Sequence, residues 1–141
     1  MIKVFISVPM RGRKKEDIEY SIRKMKRIAR AYLADNDIEA DNIDFINTIV
    51  SDNPPQNVDD KIWYLGASLQ LLSKADYLVC PLDIYQIPGC QTEKDVFYRY
   101  KSYEHILEIP NRYIYTDAEL QAQKEAEAVA QENALCSECE C

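Results

Sequence analysis

Six apolar residues stand in unbroken succession, Tyr77-Leu78-Val79-Cys80-Pro81-Leu82, between Asp76 and Asp83. A strand with one wet face alternates apolar and polar side chains. An unbroken run has no wet face and must be covered on both sides. That requirement calls for a parallel sheet sandwiched between helices. A second β-type run, Ile2 to Ile6, opens the chain and ends at Ser7-Val8-Pro9, where proline closes a central strand.

The remaining elements alternate around these two runs. Ile18, Ile22, Met25, Ile28 or Ala29, and Tyr32 recur at helical spacing, with Arg and Lys on the opposite face, so a helix is expected over 14–33. A second strand is expected within 44–49. The Asn53-Pro54-Pro55-Gln56-Asn57 segment is a loop, because paired prolines deny both helix and ladder hydrogen bonds. A helix over 59–73 follows, capped by Asp59 or Asp60, with Ile62, Leu65, Leu69 and Leu72 as its apolar stripe. A third helix is expected over 91–102, a last strand near 112–115, and a final Ala/Glu/Gln helix over 117–133 capped by Asp117.

This β-α alternation predicts a flavodoxin-like or Rossmann-like three-layer α/β/α fold with a four- to five-stranded parallel sheet in the order 2-1-3-4. At 141 residues the chain suits one domain. Residues 1–133 are assigned to it, and 134–141 to an acidic, Cys-rich flexible tail. No apolar run is long enough to span a bilayer, and the start lacks a signal-peptide core, so a cytoplasmic protein without membrane partners is expected. The net charge is -7; from Asp117 on, seven acids stand against Lys124 alone. That balance argues against a protein that binds nucleic acid by neutralising phosphates. His105 is the only histidine, which excludes a histidine-pair metal site. Cys136, Cys139 and Cys141 offer three thiols where a structural zinc site needs four ligands.

In the 2-1-3-4 order, ligands bind at the switch point between strands 1 and 3, outside their C-terminal ends. Two loops should meet there. The first, Ser7-Val8-Pro9-Met10-Arg11-Gly12-Arg13, offers two guanidiniums around a flexible glycine, a pattern suited to phosphate or carboxylate. The second runs from Asp83 through Tyr85 to Gly89-Cys90-Gln91-Thr92-Glu93 at the start of a helix. Glu93 in a first helical turn should stay ionised, as a carboxylate nucleophile must. Asp83 is the candidate second carboxylate of an acid/base pair. A glutamate there is also an ordinary helix-start residue, and the two arginines are equally an ordinary solvated pair. Tyr85 is the candidate stacking aromatic; Trp63 and Tyr64 are alternatives that core packing would equally explain. Cys90 at a helix start carries either a lowered thiol pKa or a spectator thiol.

Lys3-Val4-Phe5-Ile6-Ser7-Val8-Pro9-Met10-Arg11-Gly12, together with the Trp63 to Glu93 segment and its Gly89-x-x-x-Glu93 turn, resembles the nucleoside 2-deoxyribosyltransferase superfamily, in particular its small phage and bacterial members. The resemblance covers roughly residues 1–116. It implies that Glu93 attacks the anomeric carbon of a nucleoside sugar, forming a glycosyl-enzyme ester that another base or water resolves. Asp83 is then the candidate for handling the leaving base, with Asp60 or Asp59 behind it. Ser7, Pro9, Met10, Arg11, Gly12, Arg13, Tyr85, Gly89, Cys90 and Gln91 would bind the nucleoside or nucleotide. The resemblance implies a homo-oligomer, and the reaction needs neither cofactor nor metal. Val8 replaces the family's usual glycine and Pro88 its usual small hydroxyl residue. Both motivate an alternative, a nucleotide or nucleotide-derived-signal binding module on the same fold that has lost turnover.

Overall fold

The computed structural model describes residues 1–139, with side chains to residue 134. The calls on Cys136, Cys139 and Cys141 therefore lie outside the described side chains.

Four parallel strands, β1 (Ile2–Ile6), β2 (Ile43–Phe45), β3 (Tyr77–Pro81) and β4 (Ile106–Ile109), form one sheet in the order β2-β1-β3-β4. Phe5 pairs with Leu78, and Leu78 with Ile106. The two neighbouring carboxyl ends at the switch point belong to β1 and β3, as the expected order requires.

Strand alternation divides the core between two faces. Val4, Ile6, Val79, Ile43 and Ile109 point to one side, where they pack with Met25, Ala29 and Leu33 of α1 (Lys15–Asp35). Phe5, Leu78 and Cys80 point to the other, against Leu72 of α2 (Asp60–Leu72) and Phe97 of α3 (Pro88–Tyr100). The central strands are thus apolar on both faces, and each fully buried Leu or Phe contributes about 1.5–3 kcal/mol. Asp76 fixes the entry to β3. Its N–H donates to the Lys3 carbonyl at 2.7 Å, and its carboxylate accepts from the Lys3 N–H at 2.8 Å.

Asp59 caps α2, accepting from the Ile62 N–H at 3.0 Å. The far end of α2 is closed by Lys101, which follows α3: its ammonium donates to the Ser73 carbonyl at 2.8 Å and also to that of Ala75. A cation at a helix C-terminus is favourable for the exposed carbonyls. Here it ties α2 to α3.

Several boundaries depart from the sequence reading. The last strand is Ile106–Ile109, not the 112–115 segment, where Asn111–Tyr113 instead forms a 3-10 turn after Pro110. The ladder reaches Ile109 and proline ends it. β2 begins at Ile43, one residue before the expected 44–49 window, and ends at Phe45. Ile62 on the α2 stripe is 71% exposed and looks outward. α3 begins at Pro88, three residues before Gln91, because proline suits the first helical position.

The last helix, α4 (Asp117–Cys139), is capped by Thr116 and not by Asp117. The Thr116 hydroxyl accepts from the Glu119 N–H, and the Glu119 carboxylate accepts from the Thr116 N–H, a reciprocal capping box. The helix continues past Asn133 into the segment expected as a tail.

Candidate active site

The loop after β1, the middle of α2 and the first turns of α3 enclose an open cavity of about 1020 Å³ at the carboxyl ends of β1 and β3. Tyr115, just before α4, and Glu119 and Gln123 within it close one side of the cavity. Its walls are mostly apolar, with Val8, Ile49, Val50, Ile62 and Leu65 among them.

Glu93 lies on this cavity and is 8% exposed. Ser7, at the end of β1, donates its hydroxyl to Glu93 Oε1 at 3.1 Å. Ser68, on α2, donates to Oε2 at 3.0 Å. Three separate elements therefore converge on one carboxyl group. The site inverts one expectation. With α3 starting at Pro88, Glu93 sits beyond the first turn, where the helix dipole has faded. Burial dominates, pushing its pKa from 4.5 up to about 7 against the opposing effect of the two serine hydrogen bonds. Glu93 is thus poised between its two forms near neutrality and is not held fully ionised.

The two arginines of the first loop separate sharply. Arg13 is a structural latch. Its Nε and Nη2 grip the Glu119 carboxylate at 2.7 and 2.8 Å, and its remaining contacts go to the Pro9 and Asp17 carbonyls and the Ser21 hydroxyl. The guanidinium also lies over the Tyr115 ring, 4.8 Å from its centre. Hydrogen bonding by Arg13 holds Glu119 below the usual carboxylate range. The forked geometry matches what Arg offers and Lys does not. The expected free anion-binding role of Arg13 is therefore replaced by a structural one. Arg11 is exposed, lines the cavity and has no hydrogen bond or ion pair among the described residues. Gly12, between them, takes φ +72, the left-handed turn conformation that glycine adopts at no cost.

Pro9, Met10 and Gly89 also line the cavity. A Cβ added at Gly89 would meet nothing within 4 Å, so it would project into open space a ligand can use. Cys90 is buried, and its thiol approaches the Ser7 carbonyl at 3.8 Å. Burial pushes that thiol up to about 12, which rules out the lowered pKa considered for it.

Other expected residues do not join the cavity lining. Asp83 accepts from the Tyr85 N–H at 3.1 Å, and its main chain pairs with the Asn111 side chain. Tyr85 is 75% exposed, and Gln91 borders a separate shallow depression with Lys94 and Tyr98. Trp63 packs edge-on against Tyr64, and it is Tyr64 that reaches the cavity.

Sequence reasoning missed Ser68, Tyr115 and Glu119. Glu119 had a readable signal, the Thr116-x-x-Glu119 spacing of a capping box. Ser68 had none, since a serine within a helix carries no mark of what it faces. Among the described residues, no cluster of three or more His, Cys, Asp or Glu is placed to hold a metal, and no helix is long and apolar enough to cross a membrane. No family model matches this chain, nor does any curated protein or solved structure.

Proposed function

We propose that the protein cleaves or exchanges the N-glycosidic bond of a nucleoside or nucleotide through a covalent glycosyl ester on Glu93. The observation that carries this reading is the Glu93 carboxyl itself. It lies on a mostly apolar cavity, is gripped by two hydroxyls, and has no cationic partner among the described residues. The cavity's other acid, Glu119, is occupied by Arg13. The resemblance in the first loop and in the Gly89-x-x-x-Glu93 turn gives this carboxylate a reaction.

In that reaction an ionised Glu93 oxygen attacks the anomeric carbon. The carbon–nitrogen bond breaks, its electron pair leaves with the base, and the base takes up a proton from water. Water or a second base then attacks the same carbon, gives up a proton to water, breaks the ester and regenerates the carboxylate. Arg11, a cation of the first loop with no ion pair among the described residues, would receive a 5'-phosphate. The apolar walls would cover the faces of base and sugar. With its pKa near 7, Glu93 becomes the better nucleophile as pH rises through neutrality. A homo-oligomer belongs to the same reading, and sedimentation would measure it.

A second reading, binding without turnover, draws on one observation. Asp83, the candidate for handling the leaving base, does not line the cavity. A panel of nucleosides, nucleotides and NAD decides between them. Released free base supports the enzyme; saturable binding without release replaces it with the binding module.

A further inference from the structure

We propose that the two serines divide the Glu93 carboxyl between them: Ser7 anchors Oε1 to the protein, while Ser68 caps Oε2 from the cavity side, so that Oε2 is the oxygen a ligand meets. The inference rests on the glycosidic reading for its reaction but not for its geometry. Both are positioning residues, acting through Glu93.

The asymmetry is in the surroundings of the two hydroxyls. Ser7 is 1% exposed and does not line the cavity. Its main chain is fixed at both ends. The N–H donates to the Val79 carbonyl at 2.8 Å, continuing the β1–β3 pairing, and its carbonyl receives the Cys90 thiol. A hydroxyl on so constrained a backbone holds Oε1 in one place. Ser68 is half-buried on α2 and does line the cavity. It stands on the cavity wall where a ligand can reach it, so Oε2 can exchange the Ser68 hydrogen bond for a ligand. A hydrogen bond to an attacking oxygen also ties up electron density, so attack by Oε2 requires Ser68 to release it at least in part.

The other ionisable groups around the carboxyl do not blur this division. Burial pushes the Cys80 and Cys90 thiols up to about 12, so both stay neutral. Arg13 and Glu119 neutralise each other, beside Tyr115. Arg11 and Lys61 are exposed side chains on the cavity.

The test compares Ser7→Ala, Ser68→Ala and wild type by two readouts. Each serine stabilises the charged form of Glu93. Removing either should therefore raise the Glu93 pKa, followed by carbon NMR of its labelled carboxyl group. For each unit of rise, the rate below the acidic arm falls roughly tenfold. The plateau rate at high pH should separate the variants. Ser7→Ala should lose at least about tenfold through misorientation, and the loss in Ser68→Ala should be at least about fivefold smaller than that, since Oε2 is then free. Equal plateau losses, or an unchanged Glu93 pKa in both variants, would overturn the proposal.

The titration also works without turnover. At saturation with whichever panel nucleotide moves the Glu93 signal most, the pKa difference between wild type and Ser68→Ala should close, because ligand has replaced the Ser68 contact. The difference from Ser7→Ala should persist. If both differences persist, or no panel member moves the Glu93 signal, the assignment of Oε2 to the ligand is wrong. Absence of base release together with the expected closure would overturn the glycosidic reaction and leave the division of labour standing.

Discussion

Replacing Glu93 by Gln should make the protein more stable at pH 8 and change little at pH 4.5. The carboxyl titrates at about 7 in the fold against an ordinary 4.5, chiefly because it is buried. Between those values the folded state holds a proton that the unfolded state has released. Stability therefore falls as pH rises through this window, and the whole penalty is present above about 7. Each unit is worth about 1.4 kcal/mol, so full ionisation costs the fold about 3 kcal/mol. Gln removes that penalty without orphaning its neighbours. The Ser7 and Ser68 hydroxyls donate to a carbonyl oxygen as they do to Oε1 and Oε2, and either can turn to accept from the new amide nitrogen. Urea unfolding of both proteins at pH 4.5, 6 and 8 reads the difference directly. The expected gap in favour of Glu93→Gln is near zero at pH 4.5 and approaches ~3 kcal/mol at pH 8, or roughly 6–12 °C in Tm for a domain of this size. If the gap is the same at every pH, or widens toward acid, burial is not what governs this carboxyl.

Arg13→Ala should cost about 3 kcal/mol in unfolding free energy, since it strands a mostly buried Glu119, and Arg13→Lys should recover little of it, because an ammonium cannot fork across both carboxylate oxygens. Arg11→Ala should leave the melting temperature unchanged yet weaken nucleotide binding about tenfold, with nucleoside binding unaffected; calorimetry with the two ligand classes checks it, and equal effects on both would remove Arg11 from a phosphate site. Phe97→Ala should destabilise by about 3–5 kcal/mol in chemical unfolding, as it empties the core between α3 and the sheet.

The sheet was legible because its signal is compositional. Tyr77 to Pro81 is apolar without interruption, and Val4 to Ile6 continues the signal in β1 after Lys3, a pattern that suits central strands covered on both faces. β4 was not, because Ile106-Leu107-Glu108-Ile109 carries a charge within its short span. Glu108 is tolerated there by Lys94 of α3, whose ammonium lies 2.8 Å away, a partner that local pattern cannot reveal. The Arg112-Tyr113-Ile114-Tyr115 segment has the stronger strand composition, yet Ile114 is spent on filling the core beside α1. In the site, Glu93, Arg11, Pro9, Met10 and Gly89 were reached by topology alone. The ionisation of Glu93 was misread through one boundary. Placing the helix start at Gln91 gave the carboxylate a dipole it does not have.

The same few residues account for both the shape of the cavity and the fate of the first loop's charges. Gly12 turns the chain so that Arg13 points back along α1, where the Ser21 hydroxyl and the Asp17 carbonyl receive it. Ser21 in turn donates to the Ile114 carbonyl at 2.7 Å, so the contact runs on to the segment leading into α4. Glu119 completes the junction through its capping box, which fixes the first turn of α4 beside the cavity. One guanidinium thereby positions a wall of the site and neutralises one of the two acids that line it. Among the described residues Glu93 is left as the cavity acid without a cation, and burial is what lifts its pKa to about 7. A cation directed at Glu93 would have stabilised the fold and held the carboxylate ionised, but as half of an ion pair. Directing Arg13 to Glu119 leaves a carboxyl whose oxygens are held, among the described residues, by hydroxyls alone, an arrangement that suits the proposed encounter with a ligand.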